Sequence, residues 1–165
     1  MRWVIVLLAL AGIVAASLAL REHYRTEASP CAINAKWDCG MVNKSPYAVI
    51  GGLRPSHGPE DGPPAESKKS IFSTIGKIPV ADVGITGYLL LALLAFTKRW
   101  RLLAAAAVLA FAFSCYLAYI EKYVLETWCI YCVTSWGIIF LIMLLSVVAL
   151  IMDLRKPQSR VESRA

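Results

Sequence analysis

Apolar and polar positions in this chain separate into long blocks: four uncharged or nearly uncharged runs stand between clusters of charge. Trp3 to Leu20 is an uncharged run of 18 residues, which as a helix at about 1.5 Å per residue just crosses roughly 30 Å of hydrocarbon. A second run covers 80–97, with Asp82 near its start and Lys98-Arg99-Trp100-Arg101 as its stop; a third covers 102–120; a fourth covers 129–152 and is ended by Asp153-Leu-Arg155-Lys156-Pro157. Short connections between the last three make them antiparallel neighbours. The pattern therefore predicts an all-α integral membrane protein, a four-transmembrane-helix bundle forming one domain over 1–165, with a long external loop at 21–79 and a cytoplasmic tail at 153–165. Arg2 and the stretch Ala16-Ser-Leu-Ala19 also resemble parts of a signal peptide. The run is longer than the apolar centre of such a peptide, which favours its retention as a span.

Composition supports the membrane reading. Hydrophobic residues make up 58% of the chain and the mean hydropathy is +0.60, too apolar for a soluble domain of this size to hide in one core. The net charge of +6 marks topology and not a nucleic-acid surface, since no basic stripe interleaved with aromatics occurs. Arg2, the 98–101 cluster, Arg155, Lys156, Arg160 and Arg164 all fall on one side of the spans, which places both termini in the cytoplasm. The loop also carries eight basic residues, but they are spread over 59 positions beside six acids, and the rule discounts such loops. Residues 31–53 offer Trp37, Met41, Val42, Tyr47, Val49 and Ile50 to pack on the bundle, whereas 54–69 is rich in Pro and Gly and is expected to be mobile. His23 and His57 lack ligand spacing and are expected to be solvated.

Five cysteines then change the picture. On this topology Cys31, Cys39, Cys129 and Cys132 share the external side or its boundary, while Cys115 lies within the third span and reads as a packing residue. Cys129 and Cys132 open the fourth helix on one face with Cβ atoms about 5 to 6 Å apart. A disulfide wants about 3.5 to 4.5 Å, a gap that the first turn of a helix can close. The unpaired N–H groups and positive dipole end there favour a thiolate, which is the nucleophile of thiol exchange. Cys31 and Cys39 would be about 12 Å apart on a straight helix. Their pairing therefore requires the segment to turn, or else each pairs elsewhere at different stages. Two pairs also fit a tetrahedral zinc site, against which stand the wide first spacing and the membrane depth of one pair.

These features together resemble the vitamin K epoxide reductase family over nearly the whole chain. The resemblance rests on four spans, a first external loop with two cysteines, Ser45 six residues after Cys39, Gly84 and Tyr88 early in span two, and Cys-x-x-Cys opening span four. Members reduce quinones with electrons from thiols, and bacterial relatives use this to oxidise disulfide-forming partner proteins. The resemblance implies that Cys132 faces and reduces the quinone, that Cys129 exchanges with Cys39, and that Cys31 meets the partner. It places Ser45, Tyr88 and Trp136 near the quinone, where Trp136 could equally be a lipid- or core-facing aromatic. Vertebrate members have an asparagine early in span two where this chain reads Val80, Ala81 and Asp82, which weakens the case for epoxide reduction. Asp82 could relay protons to a reduced quinone; the preferred reading is that it sits at the start of the second helix, where a negative charge is favourable.

The sequence thus points to a membrane thiol:quinone oxidoreductase, with a ubiquinone, menaquinone or vitamin K type quinone as electron acceptor. Its expected surroundings are membrane lipid and a separate thioredoxin-like thiol oxidase on the external side. The bacterial inner membrane is favoured over the endoplasmic reticulum, with the cysteine pairs on the periplasmic or lumenal side. The alternatives are a DsbB-type disulfide oxidase, whose Cys-x-x-Cys sits instead in its first external loop, and a non-catalytic membrane protein with a structural disulfide or zinc site.

Overall fold

The apolar runs fold into helices in the computed structural model, which describes residues 1–27, 29–34, 36–53 and 76–155. In chain order these are α1, Arg2–Tyr24; a five-residue helix α2, Cys39–Asn43; two 3-10 turns at Pro46–Ala48 and Ile50–Leu53; α3, Val80–Phe96; α4, Trp100–Tyr123; and α5, Ile130–Arg155. Among the described residues β pairing is confined to isolated bridges. Three helices, α1, α4 and α5, are long and apolar enough to cross a membrane, and α3 is apolar but shorter at 17 residues. Only 22% of the most apolar window of α4, and the same share of α5, is buried inside the protein. Side chains such as Leu7 and Leu109 accordingly point outward, which suits a hydrocarbon solvent and would be costly in water.

Small residues decide how the helices approach. Ala9, Gly12, Ala15, Ala16 and Ala19 form the buried stripe of α1, which lets α3 and α5 come close to it. A Cβ on Gly12 would overlap the ring of Tyr88 from α3. Between the helices Ile5, Ala9, Tyr88, Leu91, Leu103, Ile139 and Ile142 make one apolar core drawn from all four long helices. A second, smaller cluster at one end consists of Cys31, Cys39, Val42 and Cys129.

Two connections position that end. The turn after α4 places Glu126 in the left-handed region at φ 52°, a conformation that costs a non-glycine residue about 1–2 kcal/mol. It is held by the N–H groups of Val124 and Leu125 donating to the Ile120 carbonyl and by Thr127 N–H donating to the Glu121 carbonyl at 3.1 Å. In the long loop, Ile50 N–H donates to the Ile78 carbonyl at 3.1 Å and Gly51 N–H to the Gly76 carbonyl at 3.0 Å, which sets residues 50–51 beside 76–78. The expected mobility of 54–69, His57, and the tail beyond residue 155 lie outside the described residues.

Candidate active site

Cys31 and Cys39 are brought together by a tight reversal that Asn34 organises. Its side-chain oxygen accepts from the N–H groups of Lys36 at 2.9 Å and Trp37 at 3.1 Å, while Ile33 N–H donates to the Trp37 carbonyl at 3.0 Å. The segment therefore turns, and the two cysteines form a disulfide with Cα atoms 5.8 Å apart. Asp38 then starts α2 by accepting from Met41 N–H at 3.0 Å, the side-chain cap expected of an aspartate at that position.

The strand-like stretch 36–38 is fastened to the residue before Cys129. Trp128 N–H donates to the Lys36 carbonyl at 2.8 Å and Asp38 N–H donates to the Trp128 carbonyl at 3.1 Å, with the two indoles side by side at 6.4 Å. This pairing delivers Cys39 to Cys129, and both are fully buried in the same cluster. Asn43, one helical turn after Cys39, bridges them: its amide donates to the Cys39 carbonyl at 2.8 Å and to the Cys129 sulfur at 3.4 Å. His23, half-buried in the last turn of α1, contacts the Asn43 carbonyl through Nδ1. That corrects the expectation of a solvated His23, because α1 continues past Leu20 and carries the ring inward.

Cys129 immediately precedes α5, and its carbonyl accepts from Val133 N–H at 2.9 Å as the first bond of the helix. Hydrogen bonds from the Cys132 thiol, and from its backbone, hold the Cys129 thiol below its ordinary range; Asn43 adds to them, against burial and the nearby Glu121 carboxylate. Glu121 is itself buried, at 4% exposure. Its Oε2 accepts from Cys129 N–H at 3.2 Å, and its carboxylate is also a hydrogen-bond partner of the Cys132 thiol.

Cys132 opens onto a cavity of about 580 Å³ whose wall is overwhelmingly apolar, within the roughly 300–1,000 Å³ usual for small-molecule sites. Ser45, Tyr88 and Trp136 are among its lining residues. Ser45 Oγ donates to the Val42 carbonyl at 2.8 Å, fixing the end of α2 over the cavity. Tyr88 is committed elsewhere, its hydroxyl contacting the carbonyl and the hydroxyl of Ser135 at 2.9 and 2.8 Å. Trp136 stacks on Phe140 at an interplanar angle of 12° and donates through Nε1 to the Cys115 sulfur at 3.5 Å, which gives Cys115 a packing partner. Asp82 stands half-buried in the first turn of α3, and the lining comes from its neighbours Ala81 and Val83.

Asn43, Glu121, Ser135 and His23 are site residues that the sequence reading missed. Glu121 had a legible signal, an acid at the end of a span beside the cysteine pair, but it fell one residue outside the predicted boundary. Asn43 could have been found from its spacing of four after Cys39 once Asp38 was read as a helix cap. Among the described residues no group of three or more His, Cys, Asp or Glu side chains is arranged to hold a metal ion.

An all-helical bundle of membrane type, with a disulfide and a free thiol pair at one end of a large apolar cavity, defines a membrane thiol oxidoreductase. Residues 3–147 match the model of the Vitamin K epoxide reductase family, and the chain belongs to that family. No curated protein matches the sequence significantly.

Proposed function

We propose that this protein takes two electrons from a partner dithiol and passes them to a membrane quinone. The observation that carries the reading is the packing of Cys39 against Cys129, bridged by Asn43, with Cys132 facing the apolar cavity. The partner dithiol reduces the Cys31–Cys39 disulfide and is itself oxidised to a disulfide. The Cys39 thiolate then attacks Cys129 of an oxidised Cys129–Cys132 pair, giving a Cys39–Cys129 mixed disulfide and releasing Cys132 as a thiolate. Cys31 attacks Cys39, restoring the outer disulfide and freeing Cys129. A quinone bound in the cavity supplies the two-electron acceptor for the reduced inner pair. For this chain's residues the fit is good: an apolar wall for a ring and tail, Trp136 and Tyr88 for aromatic contact, and Ser45, Asn43 and Cys132 as polar groups at one end.

In this reading α3 completes a four-span bundle, both termini are cytoplasmic and the four cysteines are external, in a bacterial inner membrane. The partner is a thioredoxin-like dithiol oxidase, and its newly formed disulfide would be passed on to exported proteins. The test is the purified protein in lipid with a dithiol donor and a quinone. Wild type should form quinol. Cys132→Ser should lose that activity by orders of magnitude and accumulate the Cys39–Cys129 species in peptide mapping. Quinol formation at the normal rate by Cys132→Ser would overturn the reading, as would an outer disulfide that no dithiol partner can reduce.

A further inference from the structure

The relay above moves electrons, yet every quinone reduced also needs two protons at a site walled by apolar side chains. A proton carrier must touch the reacting thiols and reach the cavity, and Glu121 does both. Its side chain is buried at 4% exposure and lines the cavity. Its Oε2 is fixed 3.2 Å from Cys129 N–H, which aims the carboxylate at the start of α5. The Cys132 S–H has two acceptors in reach, the Cys129 sulfur and this carboxylate. No ion pair is formed by Glu121 among the described residues, where the salt bridges are those of Arg25. A carboxylate left without a cation at such a depth is expensive unless it has work to do.

We infer that Glu121 is the catalytic proton-transfer residue, taking the proton of Cys132 as that sulfur is oxidised and delivering it to a quinone oxygen. The inference rests on the quinone-reducing reading. In balance, the Cys132 S–H bond breaks and its proton passes to a Glu121 oxygen. The Cys129 thiolate, its proton already given up, bonds to the Cys132 sulfur. The electron pair displaced there goes to the quinone. One quinol O–H receives the proton from Glu121 and the other receives the equivalent of the proton that Cys129 gave up. The sum is two thiols and a quinone giving a disulfide and a quinol, with Glu121 returned as carboxylate.

The experiment compares wild type, Glu121→Gln and Glu121→Asp in lipid, each reduced beforehand and mixed with excess quinone over a range of pH. Glutamine retains an acceptor for the Cys129 N–H but cannot carry a proton. Groups that could also shape the pH profile are Cys129, Cys132, His23, Tyr47, Tyr88 and Tyr131, which face the carboxylate or share its cavity. Quinol formation should fall about 10²-fold in Glu121→Gln, the usual size of a general acid–base contribution, and the pH profile should lose one limb. Reduction of the Cys31–Cys39 disulfide by a dithiol, a step that involves neither the quinone nor the thiols Glu121 touches, should keep its wild-type rate. Should Glu121→Gln fail to fold, Glu121→Asp carries the test: it keeps the acid but withdraws it by one methylene, so slower quinol formation with normal reduction of that outer disulfide is expected. Wild-type quinol formation with an unchanged pH profile in the folded variant overturns the inference. Absence of quinol formation by wild type itself would instead remove the function on which it stands.

Discussion

Asn43 spends one side chain on two cysteines. Its amide satisfies the Cys39 carbonyl and touches the Cys129 sulfur, so a single substitution perturbs structure and reactivity together. Asn43→Ala removes the side-chain hydrogen bonds to the Cys39 carbonyl and the Cys129 sulfur, while the backbone N–H of residue 43 still serves that carbonyl within α2, and should lower stability by about 0.5–1.5 kcal/mol, measurable as a fall in thermal midpoint. Because hydrogen bonds hold the Cys129 thiol below its ordinary range, its thiolate persists to lower pH than it would without them. Modification of Cys129 by a small thiosulfonate, followed by mass spectrometry, should therefore rise with pH at a midpoint lower than that of an ordinary cysteine thiol. Removing the Asn43 donor should move the midpoint upward; an unmoved midpoint would mean that the amide does not act on the sulfur.

Helix contacts set the cavity wall, and the pivotal one joins α1 to α3 at Gly12 and Tyr88. Gly12→Ala must push the Tyr88 ring aside, and overpacking of this kind costs about 1–3 kcal/mol. It should also pull the Tyr88 hydroxyl away from Ser135. We expect a lower thermal midpoint together with weaker quinone saturation, whereas Gly87→Ala, where an added Cβ meets nothing within 4 Å, should change the midpoint little. The four apolar blocks were legible because burial in lipid demands long uncharged runs. The pairing of 36–38 with Trp128 was not, because two hydrogen bonds between backbone atoms far apart along the chain leave no periodicity in either segment. The same holds for Asn43 and Glu121: each is one polar residue whose partner is set by tertiary placement. Ser45, Tyr88 and Trp136 reached the cavity through resemblance and not through any local pattern, and Asp82, taken from the same region of span two, stands off its lining.

For the whole molecule the open count is that of the spans. Three helices pass by length and composition, and α3 at 17 residues is the shorter fourth. Parity makes this measurable. Reporters fused at residue 1 and at residue 165 should both read cytoplasmic if α3 crosses, and a reporter placed between 54 and 69 should read external; termini on opposite sides would mean an odd number of crossings. The fastening of Lys36 and Asp38 to Trp128 has a kinetic consequence. In the proposed relay it makes the step between the two cysteine pairs unimolecular, and well-oriented groups in such arrangements react as though present at about 10⁵–10⁸ M. At millimolar concentration a thiol in solution cannot compete with Cys39 for Cys129. Under that relay soluble reductants should gain entry only through the outer disulfide, which would put the choice of electron donor on the loop.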